Sequence, residues 1–147
     1  MKISTKGIYG LKAIVDLAYN SSNDAITLKS ISKRQNISER YLEQIFCTLK
    51  NNKIIKGRKG SKGGYMLAKD MSDITVGDIL RVLEGDLSVI DLEHNNDTIL
   101  EKCITDNIWN KINESISNIV DSITLEDLVN DYNESLALST DNLMYYI

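Results

Sequence analysis

The sequence predicts a mostly α fold, a winged helix-turn-helix with a two-stranded β wing and a long C-terminal dimerisation helix. Three observations lead to this fold class. Proline is absent from all 147 residues, which removes the commonest helix breaker. Apolar residues recur every three or four positions over most of the chain, which is the period of amphipathic helices. One segment with four glycines separates two short β-prone runs, which indicates a hairpin.

The first three helices are predicted from apolar spacing and capping residues. An amphipathic helix covers residues 4–20. Thr27 can cap a second helix that ends near residues 35–36, and Ser38 can cap a third over residues 39–51. A helix of about eight residues, a tight turn and a helix of about thirteen have the dimensions of a helix-turn-helix.

The two β-prone runs, residues 53–56 and 65–67, follow the third helix. The glycine-rich segment between them is cationic, and such a hairpin after a helix-turn-helix is typical of a DNA-binding wing. Thr75 and Asp78 then form a cap for a fourth helix, which ends at Gly85. Residues 1–85 are therefore predicted to form one winged helix-turn-helix domain.

The remaining residues divide into three predicted segments. Residues 86–97 have weak periodicity and four acidic side chains, so we expect an acidic loop. Residues 98–130 form the dimerisation helix region, which begins at a capping box of Thr98 and Glu101. Within it, Thr124 and Asp127 cap a second, short helix. Residues 131–147 are predicted to be a flexible C-terminal tail.

The long helix carries an apolar stripe of isoleucines. This isoleucine stripe consists of Ile104, Ile108, Ile112, Ile116, Ile119 and Ile123. Such a stripe is too long to be covered easily by so small a wing domain, so a second copy of the chain is the simplest partner. The alternative is an intrachain core helix.

The charge of the chain divides at Lys69. Residues 1–69 hold fourteen Lys/Arg and four Asp/Glu, a net charge of +10. Residues 70–147 hold three Lys/Arg and seventeen Asp/Glu, a net charge of −14. This asymmetry predicts a half that binds a polyanion and a half that avoids it. The alternative is that both halves are merely solvated faces.

Other protein classes lack the expected residues. The single histidine, without a nucleophile motif or a phosphate-binding loop, argues against an enzyme. The two cysteines are far apart, and neither a signal peptide nor a membrane span is evident. We therefore expect a cytoplasmic protein with reduced thiols and no cofactor. An adaptor that binds proteins but not DNA remains the other alternative.

The candidate contacts with a double-stranded DNA operator fall into two sets. The predicted base-reading residues lie at the start of the third helix: Ser38, Glu39, Arg40, Tyr41, Glu43 and Gln44. The predicted contacts with the backbone or the minor groove are Lys2, Lys6, Arg58, Lys59, Ser61 and Lys62. Arginine can pair with guanine, glutamine with adenine, and glutamate can accept from cytosine. The alternative for the first set is an ordinary solvated helix surface.

Several strings resemble the Rrf-2 family of bacterial winged-helix regulators. They are MKISTKG at residues 1–7, YLEQIF at 41–46, the glycine-rich pattern at 60–67 and TLEDL at 124–128. The resemblance runs essentially from end to end. It implies a homodimer that binds a pseudo-palindromic operator, with two recognition helices in adjacent major grooves.

The iron-sulfur members of that family use three cysteines around the start of the long helix and a fourth ligand. Here Cys103 alone matches a cluster cysteine, while Asp106 and Ile8 stand at positions where ligands occur in different members. The sequence therefore predicts no cluster, with Cys103 as a weak candidate ligand and more plainly a core residue. The alternative is a regulator that senses redox state or an iron-sulfur cluster.

Among the cluster-free members, the sequence most resembles the repressors of cysteine metabolism. That resemblance implies cysteine synthase as a signalling partner, because this enzyme captures the C-terminal isoleucine of proteins that bind it. Tyr145, Tyr146 and Ile147 are the predicted contacts. The alternative is a C-terminal strand or clip packed on its own dimer.

Overall fold

The structure is a computed structural model that describes residues 2–90 and 98–145, and its fold is the predicted one. The helices are α1 (Thr5–Asn20), α2 (Leu28–Gln35), α3 (Glu39–Asn51), α4 (Val76–Glu84), α5 (Ile99–Ile104), α6 (Asn110–Ser122) and α7 (Leu125–Tyr145). The strands β1 (Ile55–Arg58) and β2 (Gly64–Leu67) form an antiparallel hairpin. A 3-10 turn spans Met71–Asp73, and a π-helical turn, Thr105–Trp109, joins α5 to α6.

The predicted caps are confirmed at the helix starts. The hydroxyl of Thr27 accepts a hydrogen bond from Ser30 N at 3.2 Å. Ser4, which was not predicted as a cap, accepts one from Gly7 N at the start of α1. Thr75 and Asp78 form a reciprocal capping box in which both hydrogen bonds measure 3.0 Å. These side chains satisfy backbone N–H groups that have no partner inside the helix. The first four helices therefore begin where the sequence predicts.

One hydrophobic core joins the helix-turn-helix to α4 and the start of α7. Its fully buried side chains include Ile14, Leu17, Leu42, Ile45, Phe46, Leu49, Ile79 and Leu125. Two backbone hydrogen bonds fix the junction with α7: Val76 N donates to Ile123 O, and Leu125 N donates to Ile74 O. The N-terminal end of α7 is thus part of the wing domain's core.

The first strand begins two residues later than the sequence predicts. Lys53 adopts a positive φ of 61°, and its N–H donates to Lys50 O in a turn that ends α3. This left-handed conformation is incompatible with a strand. The pairing therefore runs from Ile55 opposite Leu67 to Arg58 opposite Gly64.

The long helix is present, but a π-helical turn interrupts its α-helical hydrogen bonding. Helical backbone is continuous over residues 99–122. The turn over Thr105–Trp109 lies within the predicted isoleucine stripe. Arg81 on α4 ties the far end to the wing domain through hydrogen bonds of 2.6 and 3.0 Å to the Asp121 carboxylate. Those bonds lower the pKa of Asp121 below its ordinary value.

The prediction of a short helix followed by a tail from residue 131 is corrected by α7, which continues to Tyr145. The segment contains neither glycine nor proline. Leu128, Tyr132 and Leu136 repeat at four-residue intervals, and the ring of Tyr132 packs edge-to-face on Tyr19 of α1 at 4.9 Å. The apolar repeat and this packing contact support a helix over residues 131–145, which the many polar residues of the segment made difficult to predict.

Two predicted segments are only partly described. Residues 86–90 of the predicted acidic loop have neither helix nor strand, and residues 91–97 lie outside the described residues. Tyr146, Ile147 and the side chain of Tyr145, which belong to the predicted C-terminal contact segment, also lie outside the described residues. In the parts that are described, none of the helices combines the length and hydrophobicity that a membrane span requires.

Candidate nucleic-acid interface

The recognition helix α3 has one fully buried face and one free polar face. Leu42, Ile45, Phe46 and Leu49 are fully buried. Glu39, Arg40, Glu43 and Gln44 are exposed on the other side. No side-chain hydrogen bond or ion pair to Arg40, Glu43 or Gln44 is formed by residues 2–90 and 98–145. Their donors and acceptors are therefore available to base edges.

The other two predicted base-reading residues have structural partners. The hydroxyl of Ser38 accepts a hydrogen bond from Tyr41 N at 3.2 Å and so caps α3. The ring of Tyr41 is half-buried and packs edge-to-face against Tyr9 of α1, with centroids 5.9 Å apart. Of the six predicted residues, these two stabilise the start of the helix, and the other four form its free polar face.

The wing, residues 55–67, presents cationic side chains beside this helix. Arg58, Lys59, Ser61 and Lys62 are all exposed. Gly60 adopts a φ of 106°, which favours glycine, and its carbonyl accepts from Gly63 N at 3.0 Å to close the tip. Four predicted backbone or minor-groove contacts therefore lie together at the end of β1 and in the loop that follows it.

The wing is fixed to the recognition helix by packing and to the rest of the domain by backbone bonds. The ring of Tyr65 in β2 packs edge-to-face on Phe46 of α3, with centroids 5.1 Å apart. Ile26, just before α2, exchanges two hydrogen bonds with Tyr65. A Cβ atom on Gly64 would lie 2.5 Å from Ile26 O, so glycine is required for this approach. The base of the wing therefore holds a fixed position relative to α3.

Of the two predicted N-terminal lysines, Lys6 contacts the recognition helix. Lys6 Nζ donates to Thr48 Oγ1 at 3.3 Å, which links α1 to the second half of α3. Lys2 is exposed two residues before the Ser4 cap. Glu84 of α4 fixes this end of the chain, because its carboxylate accepts from Ser4 N at 3.0 Å and from Ser4 Oγ at 2.6 Å.

A polar cluster at the joint of the helix-turn-helix was missed in the sequence. Asp16 of α1 is buried, and its carboxylate accepts hydrogen bonds from Arg34 and Gln35 at the end of α2. A signal was present, since Asp16 is one of four acidic residues in the first 69 and stands between the apolar Val15 and Leu17. Spacing alone could not identify partners eighteen residues away.

The isoleucine stripe divides between two surroundings. Ile104, Ile108, Ile112 and Ile119 are exposed. Ile116 and Ile123 are half-buried against the cluster of Val76, Leu80 and Leu87 in their own chain. A groove of about 310 Å³ runs beside the exposed residues and is lined by Ile108, Ile112 and Ile119. Four of the six isoleucines are therefore available for the predicted contact with a second copy, and the other two pack within their own chain.

The two thiols do not fit an iron-sulfur cluster. Cys103 is exposed on α5, which corrects the prediction of a core residue, and Cys47 is exposed on α3. A cluster needs four ligands, and the chain has only these two cysteines. Within residues 2–90 and 98–145, no three His, Cys, Asp or Glu side chains lie together in a way that could hold a metal ion.

Comparison with known proteins gives concordant matches. The Rrf2 family model, described as an iron-dependent transcriptional regulator, matches residues 3–131. The HTH-type transcriptional regulator CymR of Bacillus subtilis is 40% identical over 128 residues, which cover 87% of this chain and 89% of that protein. The regulator IscR of Klebsiella pneumoniae is 34% identical over 132 residues, which cover 89% of this chain and 81% of that protein.

Solved structures match equally well. The structure of CymR, the global cysteine regulator of B. subtilis, superposes with a TM-score of 0.78 at 40% identity, covering 88% of this chain and 97% of that one. The structure of T. potens IscR gives a TM-score of 0.75 at 41% identity, covering 92% of this chain and 90% of that one. These relatives are regulators and not enzymes. The chain therefore belongs to the Rrf2 family of transcriptional regulators, and its role is that of a DNA-binding regulator.

Proposed function

We propose that the chain is a homodimeric repressor that binds an operator in genes of cysteine and sulfur metabolism. The observation that carries the DNA-binding part is the free polar face of α3, where Arg40, Glu43 and Gln44 lie beside a cationic wing. The metabolic assignment rests on the 40% identity with CymR over most of both chains and on that protein's description as a global cysteine regulator.

Two apolar surfaces support the homodimer. The first is the exposed part of the isoleucine stripe with its groove. The second is a cavity of about 610 Å³ between α1 and α7, lined largely by apolar side chains that include Ile8, Leu11 and Leu128. Exposed apolar surfaces of this extent favour a protein partner. In a two-fold dimer each copy would offer both surfaces to the other.

The DNA-binding part is tested with an operator selected by the protein from random DNA. We expect the selected site to be a pseudo-palindrome, bound with a steep salt dependence. Replacing Arg58, Lys59 and Lys62 together by Gln should reduce the slope of log K against log salt by roughly 5, if all six side chains of a dimer contact phosphates. Affinity measured by gel shift at several salt concentrations checks this.

The matched control is Lys102→Gln, which removes one exposed charge from the acidic half and should leave the salt slope unchanged. Equal binding of the wild-type protein to the selected operator and to random DNA, with no salt dependence, would identify a protein-binding adaptor instead. Selection of an asymmetric site would contradict the homodimeric arrangement.

For the signal input we propose cysteine synthase, bound through Tyr145, Tyr146 and Ile147. A terminal carboxylate held by backbone N–H groups, with the isoleucine side chain in a small apolar pocket, would supply the affinity. We expect deletion of Ile147 to weaken binding to the synthase by about 100-fold or more, the scale of losing such an anchor. Calorimetric titration measures the affinity, and light scattering checks that the dimer is retained.

Leu138→Ser is the control for this partner, because Leu138 is exposed on α7 and precedes the predicted contact segment. It should bind the synthase as the wild type does. If the chain without Ile147 binds with wild-type affinity, this partner assignment fails, while the DNA-binding function is unaffected.

A further inference from the structure

Asp16 is the one buried charged side chain in residues 2–90 and 98–145. Its side chain is 2% exposed, on a helix whose neighbouring buried positions are apolar. Burying a carboxylate is costly unless hydrogen bonds and an opposite charge compensate it. An apolar residue at this position would avoid that cost. The role of the buried carboxylate is therefore sought in the side chains that it binds.

Most of the compensation comes from the end of α2, and Asn20 of α1 adds a longer hydrogen bond from Nδ2 to Oδ1 at 3.4 Å. Arg34 donates from Nε to Oδ2 at 2.9 Å and from its terminal nitrogen to Oδ1 at 2.8 Å. Gln35 Nε2 donates to Oδ2 at 2.7 Å. Arg34 and Gln35 are the last two residues of α2. Lys12, one turn before Asp16 on α1, donates to Gln35 O at 3.3 Å. The end of α2 is therefore held from α1 by directional bonds.

This contact lies immediately before the turn of the helix-turn-helix. Asn36 follows Gln35 in the left-handed conformation, at φ 54° and ψ 48°. Ser38 already caps α3. The end of α2 and the start of α3 are thus separated by three residues. A small rotation at the end of α2 would be transmitted directly to the base-reading side chains.

Apolar packing alone does not fix this orientation sharply. The core beneath α2 and α3 consists of aliphatic side chains such as Ile31 and Leu42, and the hydrophobic effect that buries them is non-directional. A bidentate arginine–carboxylate pair adds geometric specificity as well as energy. The same pairing engages the guanidinium of Arg34, which would otherwise be a candidate for a phosphate.

We propose that Asp16 is a positioning residue for operator recognition, which acts through Arg34 and Gln35 to fix the orientation of the helix-turn-helix joint. Its effect is on discrimination between operator and random DNA. It does not act on the electrostatic affinity that both kinds of DNA share. The inference rests on the DNA-binding function proposed above, and it assigns part of the specificity to a residue that touches no base.

The primary test is Arg34→Lys, which keeps the positive charge but cannot form the two-pronged contact. The Arg34 side chain is 38% exposed, so the variant is expected to fold. We expect its affinity for the selected operator to fall about 10-fold or more, the scale of one lost charge-assisted contact. Its affinity for random DNA and its salt slope should stay within about two-fold of the wild-type values.

Other roles for Arg34 predict different results. If Arg34 contacts a phosphate, Arg34→Gln should weaken binding to both DNAs and reduce the salt slope by about 0.9 per subunit. If the pair only stabilises the fold, the melting temperature should fall while the ratio of the two affinities is unchanged. Either result overturns the proposal. The proposal also fails if Arg34→Lys keeps the wild-type ratio between the affinities for operator and random DNA.

Asp16→Asn and the double variant Asp16→Asn/Arg34→Lys complete the test. Because both side chains act at one joint, we expect the double variant to lose no more discrimination than the worse single variant. Additive losses would contradict a shared action. Lys33→Gln is the matched control: Lys33 is exposed beside Arg34, without a bond to Asp16, and should keep the affinity ratio. A wild-type chain that cannot discriminate would instead refute the proposed recognition of an operator.

Discussion

Ile112→Glu is expected to convert the proposed homodimer into monomers and to lower affinity for the operator about 100-fold or more. Ile112 is exposed and lines the groove beside α6 together with Ile108. A carboxylate buried there between two copies would lose its hydration among isoleucine side chains, which costs several kcal/mol, whereas in a monomer it stays hydrated. A monomer engages one half-site and loses the gain from simultaneous contact with the second.

Light scattering on the variant measures the change in mass, and gel shift on the selected operator measures the affinity. Glu114→Gln is the control, because Glu114 is exposed two positions further along α6 and outside the residues that line the groove. It should remain dimeric. A dimeric Ile112→Glu with wild-type affinity would exclude the isoleucine stripe from the interface.

Phe46→Ala is expected to reduce the free energy of unfolding by about 3 to 5 kcal/mol, the usual cost of removing a buried phenylalanine ring. Phe46 is fully buried on α3, and its ring is the edge-to-face partner of Tyr65 in the wing. The substitution therefore leaves a cavity and also loosens the wing. Denaturant unfolding followed by circular dichroism measures the change.

Cys47→Ala provides the matched comparison for Phe46→Ala. Cys47 is the next residue on α3 but is exposed, and surface substitutions usually change stability by no more than about 0.5 kcal/mol. We expect the two variants to differ by several kcal/mol. Similar losses in both would mean that the ring of Phe46 does not carry the packing described here.

Local signals explain why much of the fold could be predicted. Capping side chains such as Thr27, Ser38 and Thr75 act within three residues of their own position, so the sequence already contains both partners. The polar face of α3 follows from the same logic, because one helical period fixes which residues oppose Leu42 and Phe46.

The features that were missed depend on contacts between distant residues. The extension of α7 is supported by Tyr132 packing on Tyr19 of another helix, whereas the sequence predicts a flexible tail there. The bonds of Asp16 reach a different helix. Ile116 packs on its own α4 and is half-buried, while Ile112 is exposed, a division that depends on how α6 lies against α4. Spacing along the chain holds none of this information.

The π-helical turn has a rotational consequence for the isoleucine stripe. Ile104, Ile108, Ile112 and Ile116 are spaced by four residues, and in an unbroken α-helix each such step rotates the side chain by about 40°, giving a spiral of about 120°. The wider turn over Thr105–Trp109 accommodates roughly one additional residue, which cancels most of that rotation. By this geometry the turn keeps the isoleucines on either side of it in angular phase, and Ile104, Ile108 and Ile112 are all exposed.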